Sequence, residues 1–390
     1  MAGKETPALS KGTVFPSETR TFVDNETRVT ISRLTNHLCH SNHFYFTHWP
    51  YYSGGQKMVF HSDRGNARNL FGLDLETGEI TQLTEFKPGT GGVEPFGACV
   101  SYTREEAYFY ADRCLYALDL CDLSQRKLWE WPEDVKCTTP NCTADGRFVC
   151  FVIIPYPPKE LPIDPTSGGP SNKDMWASKP HCRIVRIPIE GGEPETLWEE
   201  DYYITHVNTS PTKPSILTFC HEGPWRLVDQ RMWGLDMETK CVWPIRKQDS
   251  EDIIIGHEYW FADGVGIGYH GRWGRGADAE RFWGCTDYHG TSYREYPIPR
   301  ACTHFHSLGK ELLVGDGTAA DPYITLWRWN GKGYDGKLLC RHYCSFHTQR
   351  LHVHPAMMPD GKGIVFTSDM HGYGNIYLVR IPEFESLPSA

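Results

Sequence analysis

Ser53-Gly54-Gly55-Gln56-Lys57-Met58-Val59-Phe60-His61-Ser62-Asp63 reads as a turn running into a β-rich strand that stops at a polar residue. Phe71-Gly72-Leu73-Asp74-Leu75-Glu76-Thr77-Gly78-Glu79-Ile80-Thr81-Gln82-Leu83, a few residues on, reads as strand, turn and strand. The pair recurs. Segments of the first kind return at 103–112, 145–155, 212–223, 263–271, 308–317 and 360–369, and of the second at 114–131, 183–198, 232–245, 281–298, 323–340 and 375–381. That makes seven of each, spaced by about fifty residues, the period of a four-stranded propeller blade with a generous loop.

The expected fold is therefore all-β, a seven-bladed β-propeller, with a β-sandwich as the less fitting alternative because no linker divides the chain. The last unit runs out of sequence after Ile381, so residues 27–34 are expected to supply its outer strand and remove the free edges. Residues 27–390 then form one domain, preceded by an N-terminal extension, residues 1–26. The Pro/Gly-rich stretch 155–180 breaks the period and is expected to be a surface loop.

Composition agrees. The 390 residues include 37 Gly, 27 Pro and 13% aromatic side chains, with almost no apolar run at helical spacing. The start of the sequence has no basic flank followed by an apolar core, and nowhere do eighteen apolar residues run together, so a cytoplasmic protein without membrane contact is expected. Fourteen cysteines scatter singly along strands and read as buried thiols. A net charge of -10 and the lack of a basic cluster argue against nucleic-acid binding. An anionic ligand would need a local focus of positive charge.

The chemistry concentrates in Gln349-Arg350-Leu351-His352-Val353-His354, half a metal site. On an extended strand His352 and His354 share a face, whereas Gln349 must come from a turn or bulge. Many of the 18 histidines sit at the ends of the repeated strands, which in a propeller line the central channel. His43, His221, His257 and His304 are four that could converge on the axis. Arg64 follows an inner strand where a carboxylate clamp would be useful. Tyr259, with Tyr45, Trp49, Trp225 and Trp260, could stack on sugar rings.

Four groups then resemble the oligogalacturonate lyases of polysaccharide lyase family 22. They are His221-Glu222-Gly223-Pro224 leading to Asp229-Gln230-Arg231-Met232-Trp233; His257-Glu258-Tyr259-Trp260; His304 with Ser307 before Gly315-Asp316-Gly317; and Gln349, His352 and His354 before Phe366-Thr367-Ser368-Asp369. The resemblance spans His43 to Tyr377. It implies Mn2+ held by His304, Gln349, His352 and His354, with His306 close enough to compete for the place of His304. It also implies His257 as proton-abstracting base and Arg231 supporting base and substrate. The implied substrate is a small anionic oligosaccharide, a short α-1,4-linked galacturonate cleaved to unsaturated uronate in pectin degradation. A lyase for another glycuronide and a non-catalytic interaction scaffold are the alternatives.

The residue types suit that chemistry. β-Elimination removes the C5 proton of a uronate and expels the C4 oxygen, and the carboxylate charge opposes the enolate-like state unless a cation sits on it. Neutral His and Gln ligands leave the full 2+ charge for the substrate. The ligand types do not fix the metal, since other divalent transition ions, Ni2+ or Zn2+ among them, bind such sets more tightly than Mn2+.

Overall fold

The strand Phe148–Pro155 is apolar at almost every position, where a half-exposed strand would alternate. The computed structural model, which describes residues 10–157, 161–164, 169–274, 276 and 278–390, explains the pattern. Val149, Phe151 and Ile153 pack toward the preceding sheet, while Cys150, Val152 and Ile154 pack toward the next. Both faces are buried, so the two-residue period divides the strand between two interfaces.

Repeated around the ring, this makes seven antiparallel sheets arranged as a seven-bladed β-propeller. In chain order the blades comprise residues 41–82, 93–130, 135–201, 204–244, 253–297, 305–341 and 356–380. Seven apolar clusters occupy the seven blade interfaces.

The N-terminal segment crosses the seam. Thr30–Arg33 pairs with Tyr373–Arg380 of blade 7, Ile31 lying opposite Val379, and Arg20–Val23 adds a further strand outside it. Val14–Phe15 pairs with Ile80–Gln82 on blade 1. Residues 14–15 and 20–23, which precede the domain start read from the sequence, thus also belong to sheets of the ring.

The stretch 155–180 is more than a loop. It carries a short hairpin, Ile163–Asp164 with Gly169–Pro170, and the helix Asn172–Ser178. Ser171 caps the helix by accepting from the Asp174 N–H. Met175 enters the core between blades 3 and 4, and the Trp176 indole donates to the Tyr202 hydroxyl at 3.0 Å. The buried methionine fixes the helix where composition alone suggested a loop. Residues 158–160 and 165–168 lie outside the described residues. The fourteen cysteines are all free.

Candidate active site

Blades 1 to 5 each interrupt the innermost strand. In blade 4 the pairing jumps from Thr205 opposite Cys220 to Asn208 opposite Thr218, and in blade 5 from Ile255 opposite Gly271 to Glu258 opposite Tyr269. Such bulges re-aim side chains, here His206, whose φ is 48°, and His257. Blade 2 loops out Glu94, Pro95, Phe96 and Gly97 opposite Tyr110. In blade 3, residues 138–140 divide Val135–Cys137 from Asn141–Cys142; in blade 1, residues 43–50 divide Ser41–Asn42 from Tyr51–Tyr52. In blades 6 and 7 the inner strands are short, and His304 lies one residue and His354 two residues before them. Together these breaks line a cavity of ≈ 780 Å³ that includes Tyr45, Glu94, His206, His257, His304 and Gln349.

At its base one nitrogen each from His304, His352 and His354 lie within 4.8 Å of one another. Asp316, fully buried, accepts from His304 Nδ1 at 2.6 Å and from the His304 N–H at 2.9 Å. The bond fixes the ring so that Nε2 is the free nitrogen. His352 Nδ1 and His354 Nε2 are buried with no hydrogen-bond partner in the protein. Burial first, and the neighbouring His304 second, push the His352 imidazole down to about 4 and that of His354 well below its usual range. Three imidazoles with ring nitrogens this close, two of them orphaned, suit a divalent transition metal.

His352 and His354 are not on a regular strand. They flank the buried Val353 in the irregular segment before Ala356–Met357, and His354 has a φ of 44°. This unusual backbone is held by His43, whose Nε2–H donates to the His354 carbonyl at 2.7 Å while Nδ1 lies 2.6 Å from the Thr367 hydroxyl. Gln349 opens a 3-10 turn and reaches the cavity beside His352. His306 points elsewhere: its Nδ1 accepts the Met357 N–H at 3.1 Å, its ring stacks on Tyr259, and it lines a separate cavity.

His257 stacks on His304 with ring centroids 4.6 Å apart. Its Nδ1–H donates to the Thr303 carbonyl at 2.9 Å, so the lone pair of the neutral ring lies on Nε2. Burial, then His304 and Arg231, hold its pKa well below the usual value.

Arg231 is buried behind this wall. Its Nε donates to Glu258 at 3.0 Å, one terminal nitrogen pairs with Glu222 at 3.4 Å, and the other has no partner. Burial alone would raise the Glu222 carboxyl, but Arg231, His206 and the Gly223 N–H hold it far below the usual range. His206, Cys220 and Glu222 also lie within 4.8 Å, yet that carboxylate already balances Arg231.

The structure does not bring His43, Arg64, His221 or Tyr259 to the cavity. His43 braces His354 from behind. The Arg64 guanidinium clamps Glu18 at 3.0 Å and lies 4.9 Å from the Phe71 ring centroid, fastening the N-terminal segment. His221 pairs with Glu200 at 2.9 Å and stacks on Tyr202. The Tyr259 hydroxyl is taken by Ser307 and the Trp283 indole. Tyr45 and Trp225 do face the cavity, whereas Trp49 and Trp260 line the separate one with His306. Sequence reasoning missed Asp316 as the partner of His304, and His206. The adjacent Gly315 and Gly317 signalled Asp316, but only a bulge turns His206 inward.

The oligogalacturonate lyase family model matches residues 9–385. The oligogalacturonide lyase of Pectobacterium atrosepticum is 28% identical over 96% of this chain and 99% of its own length, and the oligogalacturonate lyase of Dickeya dadantii is equally similar. The crystal structure of the Vibrio parahaemolyticus oligogalacturonate lyase superposes with a TM-score of 0.84, and an oligogalacturonate lyase in complex with manganese with 0.85, each 28% identical over 96% of this chain and 99% of the other. Sharing that family's sequence pattern along nearly its whole length, as well as its fold, the chain belongs to the oligogalacturonate lyase family and is an oligogalacturonate lyase.

Proposed function

We propose that the chain cleaves short galacturonate oligosaccharides with His257 as base and a divalent cation, Mn2+ by analogy with the manganese-bound relative, held by His304, His352, His354 and Gln349. The observation that carries this is the pair of orphaned nitrogens on His352 and His354 beside a His304 whose other nitrogen is committed to Asp316. Such a cation supplies Lewis-acid neutralisation of the uronate carboxylate, worth several kcal/mol to the enolate-like transition state.

The chain's own residues do the rest. His257 Nε2 takes the C5 proton, the C5–H electrons form the C4–C5 double bond, and the C4–O bond breaks toward the leaving sugar, whose oxygen takes a proton from water while the proton on His257 returns to solvent. The Thr303 carbonyl fixes the tautomer that leaves Nε2 unprotonated. Glu222 and Glu258 hold Arg231 behind the base and leave one of its terminal nitrogens unpartnered as a further donor. In a chain of net charge -10, the local positive charge that the substrate carboxylate needs would come from the cation.

Replacement of His257 by glutamine separates the roles. The variant is expected to bind Mn2+ like the parent, by calorimetric titration, while its elimination rate falls about 10²- to 10⁴-fold. Undiminished turnover would remove His257 as base.

A further inference from the structure

His206 faces the cavity from blade 4 and belongs neither to the metal triad nor to the base. The bulge that turns it inward holds its backbone at a φ of 48°, a conformation that costs a non-glycine residue energy and persists where its surroundings impose it. Glu222 stands behind the ring. Its Oε2 lies 3.4 Å from His206 Nε2 and accepts from the Thr205 hydroxyl at 3.3 Å, while its Oε1 accepts from the Gly223 N–H at 2.9 Å and from Arg231 at 3.4 Å. Burial works against the charge, yet Arg231 and the Gly223 N–H keep this carboxylate ionised, so Nε2 holds a proton toward it. Among the described residues no group bonds the other nitrogen, Nδ1, and it is not sealed from the cavity.

The order of the rings along the wall matters. His304, a member of the triad, lies 4.6 Å from His257 between centroids, and His257 lies 5.7 Å from His206. Among the described residues the His206 ring meets Tyr45 and His257 and no member of the triad. The base therefore stands between the metal position and His206. A uronate has the same order of parts: the carboxylate is bonded to C5, C5 to C4, and C4 to the oxygen that leaves. With the carboxylate at the triad and the C5 proton at His257, the leaving oxygen falls on the side of His206.

We propose that His206, backed by Glu222, is the proton donor to the leaving oxygen, through Nδ1–H. The inference rests on the elimination proposed above and gives a second histidine a part in it. As His257 Nε2 gains the C5 proton, the His206 Nδ1–H bond breaks, an O–H bond forms on the departing sugar, and the His206 ring is left neutral. Between turnovers His257 gives its proton to water and His206 takes one from water. Both rings return to their starting state, no net proton is gained or lost, and water remains the source of the sugar's proton, one step removed. The Glu222 carboxylate supports the doubly protonated ring that the donor needs.

His206→Asn tests this, since asparagine tolerates the positive φ. Its melting temperature and its Mn2+ titration by calorimetry are expected to match the parent's. With digalacturonate, kcat is expected to fall about 10²-fold with KM unchanged. In D2O, the recovered substrate is expected to gain deuterium at C5, read by NMR, faster than product forms, because proton abstraction continues while the C4–O bond waits. A kcat equal to the parent's overturns the proposal, since water alone then suffices. A raised KM with unchanged kcat also overturns it, being the mark of a side chain that only grips the substrate. So does a slowed reaction without C5 exchange, which places the loss at proton abstraction. His206→Gln, whose amide still reaches toward Glu222, gives the same readouts if the asparagine variant melts early. A parent that does not turn over digalacturonate counts instead against the proposed lyase activity.

Discussion

Asp316 accepts the Nδ1 proton of His304 at 2.6 Å while also accepting the backbone N–H of the same residue, so one carboxylate fixes both the ring and the chain that carries it. A histidine anchored in this way presents Nε2 in one tautomer and gains basicity as a ligand. Asp316→Asn keeps the shape but cannot stabilise that tautomer as well. Mn2+ affinity is expected to fall about 10- to 100-fold, measured by competition with a chelator, and activity should return at high Mn2+.

The Arg231 guanidinium is 1% exposed between Glu222 and Glu258. Arg231→Met leaves two buried carboxylates without their cation, and urea unfolding should register a loss of about 3 to 5 kcal/mol. Adding Glu222→Gln and Glu258→Gln should recover most of that stability and none of the activity. Recovered turnover would mean that Arg231 serves the fold alone.

Acid should unfold the protein steeply. Burial lowers the pKa of His48, His61 and His270 to about 3 and that of His342 to about 4. The unfolded chain takes up these protons near pH 6.5 and the folded chain does not. The stabilisation is therefore complete above pH 6.5 and is lost as pH falls toward 3 to 4, by about 1.4 kcal/mol per histidine per pH unit. Asp316 and Glu222, also lowered, add to the loss further down. His61→Phe should shift the acid midpoint, followed by circular dichroism, to lower pH.

Ring closure depends on Ile31, buried opposite Val379 in the interface of blades 6 and 7. Ile31→Ala should destabilise by about 2 to 5 kcal/mol. Because the seam joins the first and last parts of the chain, hydrogen exchange should rise along 363–380 before it rises in blades 2 to 5.

Much of this was legible in the residues, for reasons that differ by feature. The repeat of turn and strand showed the propeller because every blade solves the same burial problem, and the split of Phe148–Pro155 between two interfaces is that solution within one strand. His352 and His354 could be named because two ligand types stand two residues apart, whereas His304 entered the ligand set only through the family resemblance. Their convergence could not be read from a two-residue period, since His354 reaches the triad through a positive φ braced by His43. Arg64 misled for a related reason. A buried arginine and a substrate clamp look alike in sequence, and only Glu18 and the surrounding rings tell them apart. The helix Asn172–Ser178 escaped because one anchoring methionine makes no helical period.

The most direct measurement strips the protein with a chelator, refills it with Mn2+ and follows the ultraviolet absorbance of the unsaturated product from digalacturonate, with His352→Ala/His354→Ala in parallel. The account predicts that the parent loses its activity on stripping and regains it with the metal, while the double variant neither binds Mn2+ nor recovers. Full activity of the stripped parent, or a double variant as fast as the parent, would contradict it.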